Sequence, residues 1–156
     1  TVYIDGAELG KGTDFPSSLG LLIENPAFLP NYTGLDNLKL LARLRDRITI
    51  QQISQAIEDV GLEPSDRRKY RKYSLGMKQR LGIASAIMEQ PDLIILDEPT
   101  NALDDKGVAQ ICALIRRERE RGALIVLTCH DSSILTSLSD EIIVISNGCI
   151  ERTSVK

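Results

Sequence analysis

Nothing in this sequence is apolar for long enough to cross a membrane. The longest such run, Ala123 to Leu127, falls far short of the ~20 residues a spanning helix needs, so membrane association is expected to go through a partner. Cysteine is scarce. Cys112, Cys129 and Cys149 are odd in number and widely spaced, with no C-x-x-C pair. That excludes a disulfide framework and a thiolate zinc site, and it leaves free thiols in a reducing compartment. No signal-like segment opens the chain. The first residue is Thr1 and the only methionines are Met77 and Met88, so the sequence is expected to be a portion of a longer protein.

A strong excess of one charge is missing as well. The net charge of −3 is too small to imply a general partner of either sign. Only one stretch departs from this balance, with Arg67, Arg68, Lys69, Arg71, Lys72, Lys78 and Arg80 close together and Glu63 and Asp66 at its edge. What is present is a globular composition, 42% hydrophobic and 26% charged over 156 residues. It suits one ordinary domain, or one and a half small lobes.

The pattern along the chain changes twice. Val2 to Ile4 reads as a short strand closed by the Asp5-Gly6 turn, and Leu19 to Ile23 as a buried strand ending at Glu24-Asn25-Pro26. From Thr33 the period is helical. Thr33 with Asp36 and Thr49 with Gln52 are start signals, and Leu35, Leu38, Leu41 and Ala42, then Ile50, Ile53, Ile57 and Val60, form stripes. Ser74 opens a third helix, with Met77, Leu81, Ala84 and Met88 at helical spacing and Pro91 marking its end.

After Pro91, Leu93-Ile94-Ile95-Leu96 reads as a strand buried on both faces. A helix from about Asp105 to Arg121 follows, with Val108, Ile111, Cys112 and Ile115 facing inward. Then come a strand at Leu124 to Leu127, a short helix near Ser133 to Leu138 and a strand at Ile142 to Ile145. Asn147-Gly148 is a tight hairpin signal that returns the chain. These elements predict an α/β fold with a largely parallel sheet, in which the strands at 93–96, 124–127 and 142–145 are parallel neighbours. The division expected is 1–32 for N-terminal strands and a loop, 33–90 for an all-helical lobe and 91–156 for the rest of the sheet.

Ligands in such sheets bind beyond the carboxyl ends of the strands. That rule selects Asp97 and Glu98 after one strand and His130, the only histidine, after the next. Two adjacent carboxylates at a strand mouth point different ways. One then holds Mg²⁺ while the other polarises an attacking water. A solvated strand end is the bland alternative, and a structural role is the bland alternative for the histidine. Ser74, one residue pair before Gly76, caps a helix whose bare N–H groups suit an anion, with Lys78 and Arg80 nearby. Close helix packing explains Gly76 equally well. Gly6-Ala7-Glu8-Leu9-Gly10-Lys11-Gly12-Thr13 imitates a phosphate-binding loop. It has three residues between its glycines instead of four, and Gly12 instead of Ser or Thr after Lys11, so it reads as hairpin and turn.

With these residues in place, the chain resembles the ATP-binding subunits of ABC transporters. Tyr73-Ser74-Leu75-Gly76-Met77-Lys78-Gln79-Arg80-Leu81 resembles the family signature in the form found in drug, bacitracin and lantibiotic exporters; the commoner form has glycine for Leu75 and glutamine for Met77. Leu93 to Thr100 resembles the Walker B segment, and Asn101-Ala102-Leu103-Asp104 the D-loop. His130 falls where the family keeps its switch histidine. Ile23-Glu24-Asn25-Pro26-Ala27-Phe28 resembles the loop that couples the nucleotide site to the membrane subunit, although most relatives have glutamine at the position of Glu24.

The resemblance implies an incomplete P-loop NTPase fold of the ABC ATPase type, a parallel sheet core plus an all-helical lobe, beginning after the Walker A loop. It implies ATP and Mg²⁺ as ligands, both weakly held or absent without that loop. By the match, Asp97 coordinates Mg²⁺, Glu98 is the general base and His130 lies near the γ-phosphate. Ser74, Leu75, Gly76, Met77 and Asp104 contact ATP phosphates, partly across a dimer, and Glu24 belongs to the coupling loop. The implied partners are a second nucleotide-binding domain and a transmembrane permease subunit, at the cytoplasmic face of the cell membrane. Self-association through an exposed core is expected as well. A soluble ABC ATPase acting on nucleic acid or ribosomes is the rival, supported by the basic run at 67–72; that run is short and is read as lacking the aromatic interleaving for base stacking. A purely structural or interaction module is the third reading.

Overall fold

Residues 1–4, 6–11, 15–24 and 26–155 are described by the structure, a computed structural model. The Asp5 half of the first turn, the Gly12-Thr13 end of the loop-like segment, and Asn25 lie outside them. The chain opens with a small hairpin, β1 (Tyr3–Ile4) against β2 (Ala7–Glu8), in antiparallel register. Ala7 and Glu8 of the phosphate-loop look-alike are therefore extended strand, as the hairpin reading requires. Next come β3 (Leu19–Leu22), α1 (Gly34–Ala42) and α2 (Ile50–Asp59). A 3₁₀ turn at Tyr70–Lys72 leads into α3 (Leu75–Ile87) and β4 (Leu93–Leu96). α4 (Asp105–Glu120), β5 (Leu124–Leu127), α5 (Ser132–Leu138), β6 (Glu141–Ser146) and β7 (Cys149–Val155) complete the order.

Local chemistry sets these boundaries. Thr49 and Gln52 form a full capping box at α2. At α1, Thr33 accepts from the Asp36 N–H but gives its hydroxyl proton to the Asp36 carboxylate, because the shorter side chain does not reach back to the cap N–H. Ser74 caps α3 through the Met77 N–H at 3.2 Å, and Asp104 caps α4 through the Gly107 N–H at 3.1 Å.

β3, β4 and β5 form a three-stranded parallel sheet with Leu19, Leu93 and Leu124 in one row and Leu22, Leu96 and Leu127 in another. Ile142–Ile145 departs from expectation. It lies in β6, which pairs antiparallel with β7 and, among the described residues, not with β5. Asn147 and Gly148, at φ +49° and +77°, fold the chain straight back and make β7 the partner of one edge of β6; the other edge has no partner among the described residues.

Side chains alternate across the sheet, which makes its faces unequal. Leu22, Ile94 and Leu96 point into the core at 1–2% exposure. On the opposite face Leu21, Val126 and Leu124 are 43%, 49% and 66% exposed, and Ile95 is only half-buried. On that face of β4 itself Leu93 is buried at 9%, so the strand expected to be buried on both faces is buried at every position but Ile95, and the exposure falls on its neighbours. The buried side joins Leu38, Ile57, Leu81, Ile83 and Ile111 in a core continuous from the helices to the sheet, each such side chain contributing ~1.5–3 kcal/mol.

Polar clasps fix the helices to the rest. Buried Asn37 accepts from the Leu29 N–H at 2.8 Å and donates to the carbonyls of Leu29 and Thr33. The Tyr70 hydroxyl donates to the Pro26 carbonyl. Arg117 at the end of α4 pairs with Asp59 at the end of α2. Burial pushes the Asp59 carboxyl up, but hydrogen bonds from Arg117 and Gln55, with the Arg117 charge, outweigh it and hold the group below its usual value.

Two outcomes follow from this packing. A Cβ on Gly20 would sit 1.9 Å from the Ala86 carbonyl oxygen of α3, so Gly20→Ala should lower stability by ~2 kcal/mol or more. Leu21→Ala, on the open face, should change the stability read from urea unfolding by no more than an exposed substitution does, ~0.5 kcal/mol. Equal effects at the two positions would refute the packing. Because the Asp59 value is depressed on folding, its stabilisation is complete above the unfolded value of about 3.9 and is lost as pH falls through the folded value. Asp59→Asn should therefore be less stable than the parent at pH 7, with the gap closing as the medium is acidified below about pH 4. A gap independent of pH would show that the carboxylate charge is not what matters.

Candidate functional site

The parallel register decides which residues meet at the sheet's carboxyl end. Pairing of Leu96 with Leu127 puts Asp97 beside Thr128. The Thr128 hydroxyl donates to Asp97 Oδ1 at 2.6 Å and its oxygen accepts the Glu98 N–H at 3.0 Å. Asp97 is fixed on the other side by its own N–H, which donates to the Leu22 carbonyl at 2.8 Å. Two residues further along, His130 reaches Glu98. Its backbone N–H donates to Oε2 at 3.3 Å, and its Nε2 lies 3.3 Å from Oε1. The imidazole is 97% exposed, whereas the Glu98 side chain is 26% exposed. Asp97, Glu98 and His130 thus form one cluster open to solvent at the histidine side.

Glu98 occupies the left-handed region at φ +48°, a conformation that costs a non-glycine residue of order 1 kcal/mol. Its carbonyl accepts from Gln79 Nε2 of α3 at 2.9 Å. The strained turn therefore stands on the helix beneath it. Glu24 shares this backbone conformation, at φ +51°. It lies two residues past Leu22 on the neighbouring strand, exposed at the same sheet edge.

Ser74, Leu75, Gly76 and Met77 line a separate open cleft of about 430 Å³ together with Arg80, Ala102, Leu103 and Asp104. Gly76 is there for close approach: a Cβ would lie 2.8 Å from the Ala102 carbonyl. Ser74 accepts the Met77 N–H, which leaves its hydroxyl proton free to donate. The two cations that lie close to this helix start are already engaged, although Arg80 still lines the cleft. Arg80 donates to the Val60 carbonyl and to Gln110 and approaches Asp104 at 3.5 Å. Lys78 lies over the Tyr70 ring, 5.4 Å from its centroid. Backbone and hydroxyl groups, with Arg80 and Asp104 at the cleft's edge, are what this helix start presents.

Sequence reasoning passed over Thr128, Gln79, Asn37 and Tyr70 as positioning residues. Thr128 was within reach, since it follows a strand whose register aligns it with Asp97. The tyrosines were misjudged more directly. Tyr70 lies inside the basic run and Tyr73 just after it, so aromatic interleaving is present in the sequence. Both rings are buried, at 7% and 8% exposure, and pack edge-on or tilted with Phe28 and each other, so neither is available to stack a base.

Known proteins are similar to this chain in sequence and fold. A family profile described as ABC transporter matches residues 1–101. Over 153 residues the chain is 44% identical to YybJ of Bacillus subtilis (strain 168), an uncharacterised ABC transporter ATP-binding protein, covering 98% of this chain and 70% of that one. It is 43% identical over 133 residues to the bacitracin transport ATP-binding protein BcrA of Enterococcus faecalis, covering 85% of this chain and 43% of that protein. With the lantibiotic transport ATP-binding protein SrtF of Streptococcus pyogenes it shares 36% over 132 residues, covering 85% and 57%. It therefore spans about half the length of these last two relatives. Among solved structures, a dimeric post-hydrolysis state of the ATP-binding cassette MJ0796 bound to ADP and Pi matches with a TM-score of 0.84 at 25% identity, covering 98% of this chain and 72% of that one. Since the profile spans well over half of the chain and YybJ is matched over more than two thirds of its length, the chain belongs to the ABC transporter family, as part of an ATP-binding subunit related to bacitracin and lantibiotic transport ATPases in general.

Proposed function

We propose that the whole protein binds and hydrolyses ATP to power export by an ABC transporter of the drug, bacitracin or lantibiotic type, with Glu98 as general base. The observation that carries this reading is the cluster of Asp97, Glu98, Thr128 and His130 at the mouth of a parallel sheet. It supplies what phosphoryl transfer to water asks of a protein: a base to orient the water, a carboxylate for a metal ion and a polar group for the transferred phosphate.

The donor set at Asp97 fits magnesium. Oδ1 accepts the Thr128 hydroxyl, and Oδ2 has no protein partner among the described residues. No three His, Cys, Asp or Glu side chains converge there as a protein-only metal cage, again among the described residues. One carboxylate completed by substrate phosphates is the coordination that magnesium favours. When bound, the ion neutralises charge on the phosphates. Glu98 takes the proton from the attacking water, with its carboxylate steadied by the His130 N–H. The His130 ring, exposed and with Glu98 as its one partner among the described residues, is placed to turn toward the γ-phosphate. Ser74, Gly76 and Asp104 contribute the other wall, to a nucleotide held by a second subunit in a head-to-tail dimer. That partnership is supported by the dimeric cassettes the fold resembles. Glu24, on the loop tied to α1 and the 3₁₀ turn, couples the site to a permease subunit.

No G-x-x-x-x-G-K-[ST] sequence occurs in these residues. Such a loop supplies the backbone N–H cradle and the lysine for the phosphates, and one lost donor to a phosphoryl or oxyanion transition state already costs ~3 kcal/mol. This chain alone should therefore show no Mg-ATP turnover above its Glu98→Gln version. Fused behind a family phosphate-loop segment it should turn over, and Glu98→Gln in the fusion should cut the rate by about 100- to 10,000-fold. An active fusion indifferent to Glu98→Gln would remove the general-base assignment.

The open sheet face generates a second outcome. Leu21 on β3 and Leu124 and Val126 on β5 leave apolar surface on one face of the sheet, and β5 has no second strand partner among the described residues; such surface favours association. Light scattering should show mass rising with concentration, and Leu124→Lys with Val126→Lys should restore a monomer. A strict monomer throughout would count against an accessible core.

A further inference from the structure

Three polar side chains are buried among the described residues, Asn37, Gln79 and Glu118. Burial of a polar group is costly unless a partner compensates it. Asn37 fastens the loop after β3, and Glu118 takes Arg117 and Arg121. Gln79 alone of the three reaches the carboxylate cluster. It is 7% exposed, and its Nε2 donates to the Glu98 carbonyl at 2.9 Å.

Two conformations compete at the peptide it reaches. Glu98 is left-handed at φ +48°, yet it precedes Pro99, whose ring drives the residue before it toward extended backbone. Pro99 is fully buried, so its ring is hemmed in. The Glu98 carbonyl also accepts the Asn101 N–H at 3.1 Å. That bond closes a turn within the segment and would travel with it. Two backbone bonds instead tie Glu98 to other elements, one on each side of its Cα. Thr128 at the end of β5 takes the N–H at 3.0 Å, and Gln79 of α3 holds the carbonyl. With both in place, rotation about the Glu98 backbone is fixed, and with it the direction in which the side chain leaves. Without the second, the carbonyl turns and the residue extends, which carries the carboxylate off the His130 N–H now 3.3 Å away.

We propose that Gln79 selects between two backbone states of Glu98, left-handed with the carboxylate on His130 and extended with it turned away, and so positions the general base from within α3. Gln79 acts through the Glu98 carbonyl and not on a reacting atom. A neutral amide suits the task, because it supplies a directed donor without adding a charge beside the base. Its effect on rate rests on the reading of Glu98 as general base; its effect on where the carboxylate lies does not.

Gln79→Met keeps the side-chain length and the helix propensity while removing the donor. Gln79→Leu removes it with a different shape, so a packing fault peculiar to one variant is not shared by the other. His130 is the only histidine, so in this chain the nuclear magnetic resonance signals of its ring, read at one fixed pH, report the Glu98 carboxylate beside it. In both variants they should move from the parent position toward that of Glu98→Ala, with far-ultraviolet dichroism unchanged. Ring signals that stay at the parent position would overturn the proposal. In the whole subunit, Gln79→Met should lower kcat for Mg-ATP about tenfold to a hundredfold, as a small misplacement of a catalytic group does, with KM changed by less than about twofold. The same substitution in a Glu98→Gln background should cost nothing further, since Gln79 then has no carboxylate to place. Equal losses in the two backgrounds would reduce Gln79 to a structural residue and overturn the proposal, as would a kcat that responds to Glu98→Gln but not to Gln79→Met. Shifted ring signals in a subunit whose rate ignores both substitutions would uphold the placement and remove the general-base reading instead.

Discussion

Parallel pairing of β4 with β5 constrains everything else in the site. Residues past the end of one strand meet residues past the end of its neighbour only because Leu96 is opposite Leu127. A slip of one residue would turn every side chain of β5 to the other face and would part Thr128 from Asp97. The register is protected by burial on the α3 side, where Ile94 and Leu96 have no tolerance for the polar alternative. Core packing and chemical geometry are thus one constraint. The same apolar residues that hold the sheet together set the 2.6 Å contact between the Thr128 hydroxyl and Asp97.

Legibility in the sequence followed from how local each cause was. β4 was readable because a continuous apolar run between Pro91 and two carboxylates admits few alternatives. The caps at Thr33, Thr49 and Ser74 were readable because a side chain bonding three residues ahead is a short-range event. Asp97, Glu98 and His130 could be nominated together because a topological rule, not a contact, links strand ends. Partnerships across the fold were not readable. That Gln79 supports the Glu98 carbonyl, or that Arg80 spans to Val60, depends on how α3 lies against the 98–104 segment and the end of α2. No spacing along the chain encodes it.

One expectation is overturned, and its origin is plain. Alternation of strand and helix usually builds a parallel sheet, so Ile142 to Ile145 are expected beside β5; β6 instead pairs only with β7 among the described residues, across the Asn147-Gly148 turn. Lys78 and Arg80 are expected only to lie near the start of α3, and they do so while engaging an aromatic ring, a carbonyl and an amide. The burial of Tyr70 and Tyr73 shows that charged neighbours in sequence say nothing about which way a ring turns.

α3 joins the two halves of the site through a single face. Gly76, Gln79 and Arg80 are three and four residues apart, so they project the same way. They meet Ala102, the Glu98 carbonyl and Asp104 in turn. Glu98 and Ala102 both hold left-handed backbone conformations, at φ +48° and +61°, which persist only where surrounding contacts determine them. The helix whose N-terminus lines the 430 Å³ cleft is the same one that braces this strained segment. A rigid displacement of α3 therefore cannot alter the Ser74–Met77 wall without also moving the support of Glu98. Arg80 adds the third link, because its guanidinium occupies space that a Cβ on either Gly61 or Gly107 would fill. Through it the ends of α2 and the start of α4 are packed against the same helix. The carboxylate cluster and the cleft are separate in lining but mechanically one unit, and its axis is α3.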